Sequence, residues 1–431
     1  MPKKPAWQDS FRRSIVLLLF AGSMFNYVER SVLSVVMPAV RQDLSLTNRD
    51  YGLAIHAFLV MYGLFYILGG RIADRLGYRQ TFTVAVIVWS FATMAQSFVQ
   101  GLRGLFFCQA LLGIGEGIYY PAAVRAAAEL YPPASRAKAV GAILSAISLG
   151  MVVTPPLVAW TTLHSGWRLT FLLVGAFGLL MLLPPWFWVH RHDLGTEDAS
   201  NSAPVEACHP AASVSSAEVT LGEVLRTRKY WLVIAARGCS DIAWFFYLFW
   251  IPAYFQEVRG LSLARVGKLL WIPYFCSFLG AFAGAAASSA LIRKGWSVSR
   301  SRKTVLLAAA FLAAFGASAG FASRSTLALA LVSLALFSHQ TWSTNIHTTI
   351  TEISPPKHVA ILYGISGAGG TLVGAGAQLV IGRLIDLHGY KPAFVGAGGM
   401  YILAAALLVS AGMLEPIRRK VMGHSPTSPE A

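Results

Sequence analysis

Residues 25–31 read Phe-Asn-Tyr-Val-Glu-Arg-Ser and place an acid, Glu29, beside a base, Arg30, within a long apolar run. A charged side chain near the centre of a bilayer costs roughly 3 kcal/mol on insertion scales, so such residues face a bundle interior or a water-filled cavity. At helical spacing, Asn26 and Arg30 lie on one face, with Glu29 beside it. This face is predicted to point into a bundle and to mark a transport path. The alternative is that Glu29 and Arg30 satisfy each other and only hold helices together.

The composition of the whole chain agrees with a membrane protein. Of 431 residues, 55% are hydrophobic and 13% are charged, and the mean hydropathy is +0.58. This excludes a soluble protein of such length. Apolar runs of about 20 residues, enough to cross a hydrocarbon core of about 30 Å, recur along the chain. We therefore predict an all-α polytopic membrane protein with twelve transmembrane helices, near residues 14–40, 51–70, 80–100, 104–127, 138–162, 168–190, 230–255, 268–292, 304–323, 326–351, 358–385 and 390–415.

Basic residues are concentrated in every second loop. Lys and Arg number 35 against 19 Asp and Glu, a balance that could suggest nucleic acid. The alternation instead follows the positive-inside rule, which places the basic loops in the cytoplasm. We expect a multi-pass protein of the inner (plasma) membrane, with lipid and not nucleic acid around it and with both termini in the cytoplasm.

A repeat divides the chain into two halves. Glu-Leu-Tyr-Pro-Pro at residues 129–133 recurs as Glu-Ile-Ser-Pro-Pro at residues 352–356, an offset of 223 residues (352 − 129). The same offset pairs Glu116 with His339 and Gly166 with Gly389. Parallel six-helix repeats around a midplane site are typical of secondary transporters. We predict two six-helix bundles at 1–190 and 230–420, a cytoplasmic linker at 191–229 and a tail at 421–431.

The segment from residue 70 to residue 79 reads Gly-Arg-Ile-Ala-Asp-Arg-Leu-Gly-Tyr-Arg and joins the second and third spans. Its glycines permit a tight turn, and its acid can cap the next helix or pair with a nearby Arg. The alternative is an ordinary basic turn. We predict a gating loop that contains Gly70, Asp74, Arg75, Gly77 and Arg79.

The fourth span contains Gly-Ile-Gly-Glu-Gly at residues 113–117. No strand precedes it, so a dinucleotide-binding loop is excluded. Gly113 and Gly117 stand at the spacing that allows close helix contact. Glu116 should then lie between helices, hold its proton more strongly than in water, and serve in proton coupling. The alternative is a hydrogen-bonded Glu that contributes only to packing.

Two spans of the second half also carry polar groups. The tenth contains His339, Gln340, Trp342 and Asn345, a set suited to a polyhydroxylated ligand because amides donate and accept and an indole offers a flat face. Polar contact between helices is the rival interpretation. In the seventh span, Arg237 and Asp241 are four apart, a spacing that lets them neutralise each other.

No catalytic or metal-binding set is apparent. Cys108, Cys208, Cys239 and Cys276 lie far apart and lack ligand spacing, so we expect neither disulfides nor a metal. No nucleophile, base and orienting group cluster in one segment. We therefore predict that the protein is not an enzyme and has no cofactor.

These motifs together resemble the anion:cation symporter family of the major facilitator superfamily, and within it the hexuronate and sugar-acid transporters. The resemblance rests on residues 26–30, 70–79, 113–116, 244–252, 291–297 and 339–345 and covers nearly all of the chain except the tails and linker. It implies that Arg30 grips the substrate carboxylate, that Glu29 and Glu116 take part in proton coupling, and that Tyr27 and Tyr62 line the site. Two residues depart from the family pattern: position 29 is Glu where relatives usually have Asp, and Gln109 stands where many have Arg.

The residues and the resemblance agree on one function. An anion needs a fixed cation, Arg30, and uptake against a gradient needs a titrating group, which is Glu116 or Glu29. We predict a proton-coupled symporter that imports a small organic anion, most simply a sugar acid of hexuronate or hexonate type, and acts as a monomer. His339, which matches Glu116 in the repeat, is a further candidate for coupling. The alternatives are an exchanger or exporter of a non-sugar carboxylate and, in another class, a channel or sensor.

Overall fold

The computed structural model describes residues 6–191 and 219–417, which are helical with no strand. The predicted tail and most of the predicted linker, with Cys208, lie outside these residues. Three short 3-10 turns, Gln96–Phe98, Ala317–Phe321 and Pro356–His358, connect longer helices. The α-helices are α1 (Ala6–Leu44), α2 (Asn48–Ala95), α3 (Leu102–Leu130), α4 (Pro133–Arg191), α5 (Leu221–Leu225), α6 (Arg228–Glu257), α7 (Leu263–Leu269), α8 (Trp271–Arg293), α9 (Val298–Gly316), α10 (Ser325–Ile353), α11 (Val359–His388) and α12 (Tyr390–Ser410).

Two of the long helices are broken by a glycine. Gly77 in α2 has φ 75° and ψ 161°, and Gly166 in α4 has φ 77° and ψ 166°, conformations that glycine adopts most readily. Gly389, the repeat equivalent of Gly166, separates α11 from α12 with φ 72° and ψ −168°. The two breaks divide ten long helices into twelve helical segments.

Eight helical stretches within the described residues are long and apolar enough to cross a membrane. Two of them, 48–98 and 139–191, contain the breaks at Gly77 and Gly166. The long helices α3 and α10 are not among the eight, since they carry the polar residues predicted for the site. An all-α membrane protein is confirmed, whereas the number of twelve crossings stays a prediction.

The second and third spans are joined differently from the expected loop. The helix continues through Gly70 to residue 76, and the chain turns only at Gly77. The predicted loop is therefore wrong for residues 70–76, which are helical, because a single glycine with positive φ, Gly77, is enough to break the helix. Thr220 and Glu223 form a capping box at the start of the short helix α5, within the predicted linker.

Glycines bring α3 against α2. A Cβ on Gly113 would overlap the carbonyl oxygen of Phe58, and one on Gly117 would lie 2.8 Å from the carbonyl oxygen of Tyr62. Close helix contact at these two glycines, as predicted from their spacing, is confirmed. The contact fixes Glu116 between α3 and the neighbouring helices.

The helices pack as two groups, α1 to α4 and α6 to α12, which meet where α2 contacts α11, α1 contacts α6, and α4 contacts α7 and α8. The hydrogen bonds between the groups are concentrated at one end, here called the sealed end and formed by residues 35–56, 249–257 and 375–386. There Arg41 pairs with Glu257 at 3.0 Å. The exact domain boundaries stay a prediction.

Candidate functional site

Arg30 and Glu116 form a buried ion pair between α1 and α3. The Nε of Arg30 donates a hydrogen bond of 2.7 Å to Oε2 of Glu116, and its Nη2 lies 2.6 Å from the same oxygen. The two side chains are only 3% and 0% exposed. Oε1 of Glu116 has no hydrogen-bond partner among the described residues. One carboxylate oxygen therefore balances the guanidinium while the other is unused.

Aromatic rings enclose the same guanidinium. Its central carbon lies 4.5 Å from the ring centroids of Tyr27 and Tyr62 and 5.2 Å from that of Phe58. Asn26 accepts a longer hydrogen bond of 3.4 Å from Nη2. The structure thus brings together Arg30, Glu116 and both tyrosines that the resemblance implied. The cation–π contacts of the rings stabilise the buried guanidinium in addition to its ion pair.

Glu29 does not pair with Arg30. Its Oε1 accepts a hydrogen bond of 3.2 Å from Ser90, and a Cβ on Gly178 would overlap that oxygen. Its Oε2 has no hydrogen-bond partner within residues 6–191 and 219–417. The alternative of a self-satisfied Glu29–Arg30 pair is therefore not realised, because adjacent residues of a helix point about 100° apart and Glu116 occupies the Arg30 side.

Gln109, the second departure from the family pattern, is buried two turns before Glu116. Its Nε2 donates to Oε1 of Gln96 at 2.8 Å. A neutral amide pair therefore occupies this buried position, where the resemblance leads us to expect an arginine.

The tenth span, α10, distributes its polar residues among different partners. His339 contacts the hydroxyl of Tyr401 at 2.5 Å through Nδ1 and stacks on Trp244 with centroids 4.6 Å apart. Trp342 is fully buried, and Gln340 is half-buried. Asn345 donates to the carbonyl oxygens of two neighbouring residues, Gly284 of α8 and Thr341 of α10. Asn345 thus makes the contacts of the rival interpretation, and the binding roles of these residues stay predictions.

The predicted gating segment lies at the end of the helices opposite the sealed end. Asp74 is exposed and accepts a hydrogen bond of 3.1 Å from Arg125 of α3, which also pairs with Glu129 at 2.5 Å. Arg75 is exposed, and Arg79 and Gly77 are half-buried. The second half has a related pair, Arg302 with Glu352 at 2.8 Å. The gating role stays a prediction.

The sequence interpretation missed a row of tyrosines beyond Tyr62. Tyr62 and Tyr66 have ring centroids 6.0 Å apart, and Tyr66 stacks on Tyr120 at 5.7 Å. The signal available was the four-residue spacing of Tyr62 and Tyr66 on one helix face. The row leads from Arg30 towards the second half.

A helical membrane protein with two groups of helices, a buried guanidinium–carboxylate pair in the first group and a row of tyrosines leading towards the second has the architecture of a membrane transporter. Within the described residues, no group of three or more His, Cys, Asp or Glu could hold a metal. The family model of the Major Facilitator Superfamily matches residues 19–375, and the chain belongs to this superfamily. The protein is accordingly a transporter and not an enzyme.

Curated relatives extend over nearly the whole chain. The D-galactonate transporter of Escherichia coli O6:H1 (strain CFT073) is 27% identical over 425 residues, which cover 95% of this chain and 96% of that protein. The hexuronate transporter of E. coli K12 is 24% identical over 91% of this chain and 92% of its own length. The hexuronate transporter of Bacillus subtilis 168 is 27% identical, with 96% and 97% covered. These relatives confirm the resemblance to sugar-acid transporters.

Solved structures share the fold. A bacterial homolog of the human lysosomal transporter Spinster, in an inward-facing and occupied conformation, has a TM-score of 0.70 at 19% identity and covers 93% of this chain and 95% of its own. The D-xylose-proton symporter has a TM-score of 0.69 at 17% identity, with 92% and 96% covered.

Proposed function

We propose that the protein is a proton-coupled symporter that imports a small organic anion, a sugar acid of hexuronate or hexonate type, by alternating access. The observation that carries this proposal is the buried pair of Arg30 and Glu116. The names of the relatives support the substrate class, because galactonate and the hexuronates are sugar acids.

The pair supplies a physical reason for coupling. Glu116 balances the charge of Arg30 in the structure. A substrate carboxylate matches the fork of the guanidinium and can replace Glu116 as its partner. Two carboxylates beside one guanidinium would leave a net charge in a dry site, which is costly. A proton on Glu116 removes that charge, so the anion and the proton enter together.

The other candidates have supporting roles in this scheme. Tyr27 and Tyr62 line the space beside Arg30 and can bond substrate hydroxyls. Gln340, Trp342 and Asn345 are proposed to bind the substrate from the second half. Glu29 and His339 are proposed as further proton-carrying groups, Glu29 because its second oxygen is unused in a buried position.

The sealed end suggests which side is open. If both termini are cytoplasmic, as we propose, the sealed end faces outward and the protein has the inward-facing arrangement. We further propose that it resides in the inner membrane, as expected for relatives from bacteria, that the segment around Asp74 gates the cytoplasmic side, and that one copy is sufficient for transport.

Uptake into proteoliposomes tests the function. Labelled hexonates and hexuronates are added outside vesicles whose interior is made alkaline, with and without a protonophore. We expect accumulation above the outside concentration that the protonophore abolishes. Saturable exchange without gradient-driven accumulation would indicate an exchanger, and flux without saturation or counterflow would indicate a channel; either outcome contradicts the proposal.

A further inference from the structure

Arg237 and Asp241 form a second guanidinium–carboxylate pair, in the second half. They stand one turn apart on α6, with Nε of Arg237 3.5 Å from Oδ2 of Asp241. Their side chains are 11% and 18% exposed, compared with 3% and 0% for Arg30 and Glu116. The second pair is therefore looser than the first and borders accessible space.

Asp241 holds the rear of the guanidinium. Its Oδ2 occupies the place where a Cβ on Gly370 would lie, so the carboxylate fits against α11 only because residue 370 has no side chain. It approaches Arg237 from the Nε side. Since Nε, Nη1 and Nη2 share one plane, this contact sets the direction in which the two terminal nitrogens point.

The terminal nitrogens of Arg237 are only partly engaged. Nη1 donates to the hydroxyl of Ser366. A Cβ on Gly367 would lie 3.6 Å from Nη2, so the absence of a side chain at residue 367 leaves room in front of the guanidinium. Nε faces Asp241 at 3.5 Å, so Nη2 is the nitrogen that makes no hydrogen bond to the described residues 6–191 and 219–417. The group thus retains donors for an anion that enters beside α11.

The free side of Arg237 faces the first half of the protein. A Cβ on Gly367 would also lie 3.8 Å from Cε1 of Tyr66. Tyr66 neighbours Tyr62, whose ring lies 4.5 Å from the guanidinium carbon of Arg30. Two arginines, one from each half, therefore stand at the two ends of one row of tyrosines.

We propose that Arg237 is a second anion-binding residue, positioned by Asp241, and that the preferred substrate is a dicarboxylic sugar acid with one carboxylate on Arg30 and the other on Arg237. The tyrosine hydroxyls between them suit the hydroxyl groups of such a chain. This proposal rests on the proposed function and narrows its substrate class. The competing explanation is that Arg237 and Asp241 neutralise each other and only hold α6 against α11.

A matched pair of ligands separates the two explanations. The purified full chain in lipid nanodiscs is titrated with a six-carbon aldonate and with the aldarate of the same stereochemistry, which differ in one terminal carboxylate. We expect the diacid to bind roughly tenfold more tightly than the monoacid, because the monoacid lacks the carboxylate that forms the hydrogen-bonded charge contact with Arg237. In Arg237→Gln, the affinity for the diacid should fall by roughly tenfold more than that for the monoacid.

Two further variants serve as controls. One distinguishes loss of binding from misfolding, and the other tests the proposed function separately from the role of Arg237. Arg237→Gln with Asp241→Asn leaves no lone charge, and it should lose the preference for the diacid as Arg237→Gln does, at an unfolding temperature close to that of the unsubstituted protein. Equal affinity for the two acids in the unsubstituted protein, or a preference that survives both variants, would overturn the proposal. Arg30→Gln should weaken both acids together. If Arg30→Gln binds both acids with unchanged affinity, the proposed function fails. The role of Arg237 is decided separately, by the ratio of the affinities for the diacid and the monoacid.

Discussion

Replacing Glu116 with Gln separates proton coupling from substrate binding. A protonated Glu and a Gln are nearly isosteric, so the variant keeps an oxygen that can accept the hydrogen bond of Arg30 and fills the same buried volume. It removes only the negative charge. The carrier should still bind an anion and reorient, but it should no longer need a proton to do so.

The size of the effect follows from the exchange of partners at Arg30. If each anion displaces Glu116 and requires one proton there, the affinity of the unsubstituted protein falls about tenfold per pH unit once Glu116 is ionised, or about 1.4 kcal/mol. In Glu116→Gln the slope should vanish. The empty variant leaves Arg30 unbalanced, which destabilises it by roughly 3–5 kcal/mol. Added substrate should therefore raise its unfolding temperature more than that of the unsubstituted protein.

The assay compares two measurements on the same preparations. Binding isotherms are recorded in nanodiscs between about pH 6 and about pH 8, where a sugar carboxylate is ionised throughout. In proteoliposomes, accumulation driven by a pH gradient is compared with exchange of labelled for unlabelled substrate at no gradient. Accumulation should vanish in Glu116→Gln while exchange survives.

A matched control carries the same substitution at another ion pair. Glu129 is exposed and pairs with Arg125 at 2.5 Å, so Glu129→Gln should keep the pH slope of the substrate affinity. If the slope and the accumulation persist in Glu116→Gln, then Glu116 contributes only to packing, and Glu29 becomes the acid to test.

Three further substitutions test other parts of the reasoning. Arg30→Lys should lower substrate affinity roughly tenfold or more at unchanged charge, since an ammonium cannot form the paired hydrogen bonds of a guanidinium; an unaltered binding isotherm would contradict the assignment. Asp74→Asn should slow transport in vesicles while the affinity stays within a few-fold, because it alters exchange between states more than contacts to substrate; complete loss of binding in folded protein would count against a gate. Gly113→Ala should destabilise the protein by roughly 1–3 kcal/mol in thermal unfolding, because its Cβ would overlap the Phe58 carbonyl oxygen, whereas Gly141→Ala, whose Cβ meets nothing within 4 Å, is the control.

The helices and the close contact of α3 with α2 could be predicted from the sequence. A membrane-spanning helix requires an apolar run of about 20 residues, which is visible in the sequence. The four-residue spacing of Gly113 and Gly117 likewise indicates close helix contact. The helices extend beyond the predicted spans, as α1 does from Ala6 to Leu44, because hydropathy marks the part inside the bilayer while the backbone continues past it. For the same reason the predicted loop begins at Gly70, whereas the helix continues to residue 76.

The arrangement of charges depends on packing between distant segments and could only partly be predicted. The sequence offered only the adjacent Glu29 as a partner for Arg30, whereas the packing of α1 against α3 places Glu116 there. Asn345 has the chemistry of a ligand group, yet the position of α8 directs its amide to Gly284. The spacing of residues along the sequence does not indicate where α8 lies relative to Asn345.

The start of α2 has two separate sets of hydrogen-bond acceptors. Thr47 and Asp50 form a capping box within the first half, while Asp386 of the second half accepts from the backbone N–H groups of Asn48 and Arg49 at 3.0 and 2.8 Å. In the alternating access that we propose, opening of the sealed end moves the capping box with its own helix and leaves Asp386 behind. The helix therefore keeps its structure but loses an anion at its positive end, worth roughly 0.3–1 kcal/mol for such a contact. Asp386 can thus bias the balance between the two orientations of the carrier without being needed for the folding of either half.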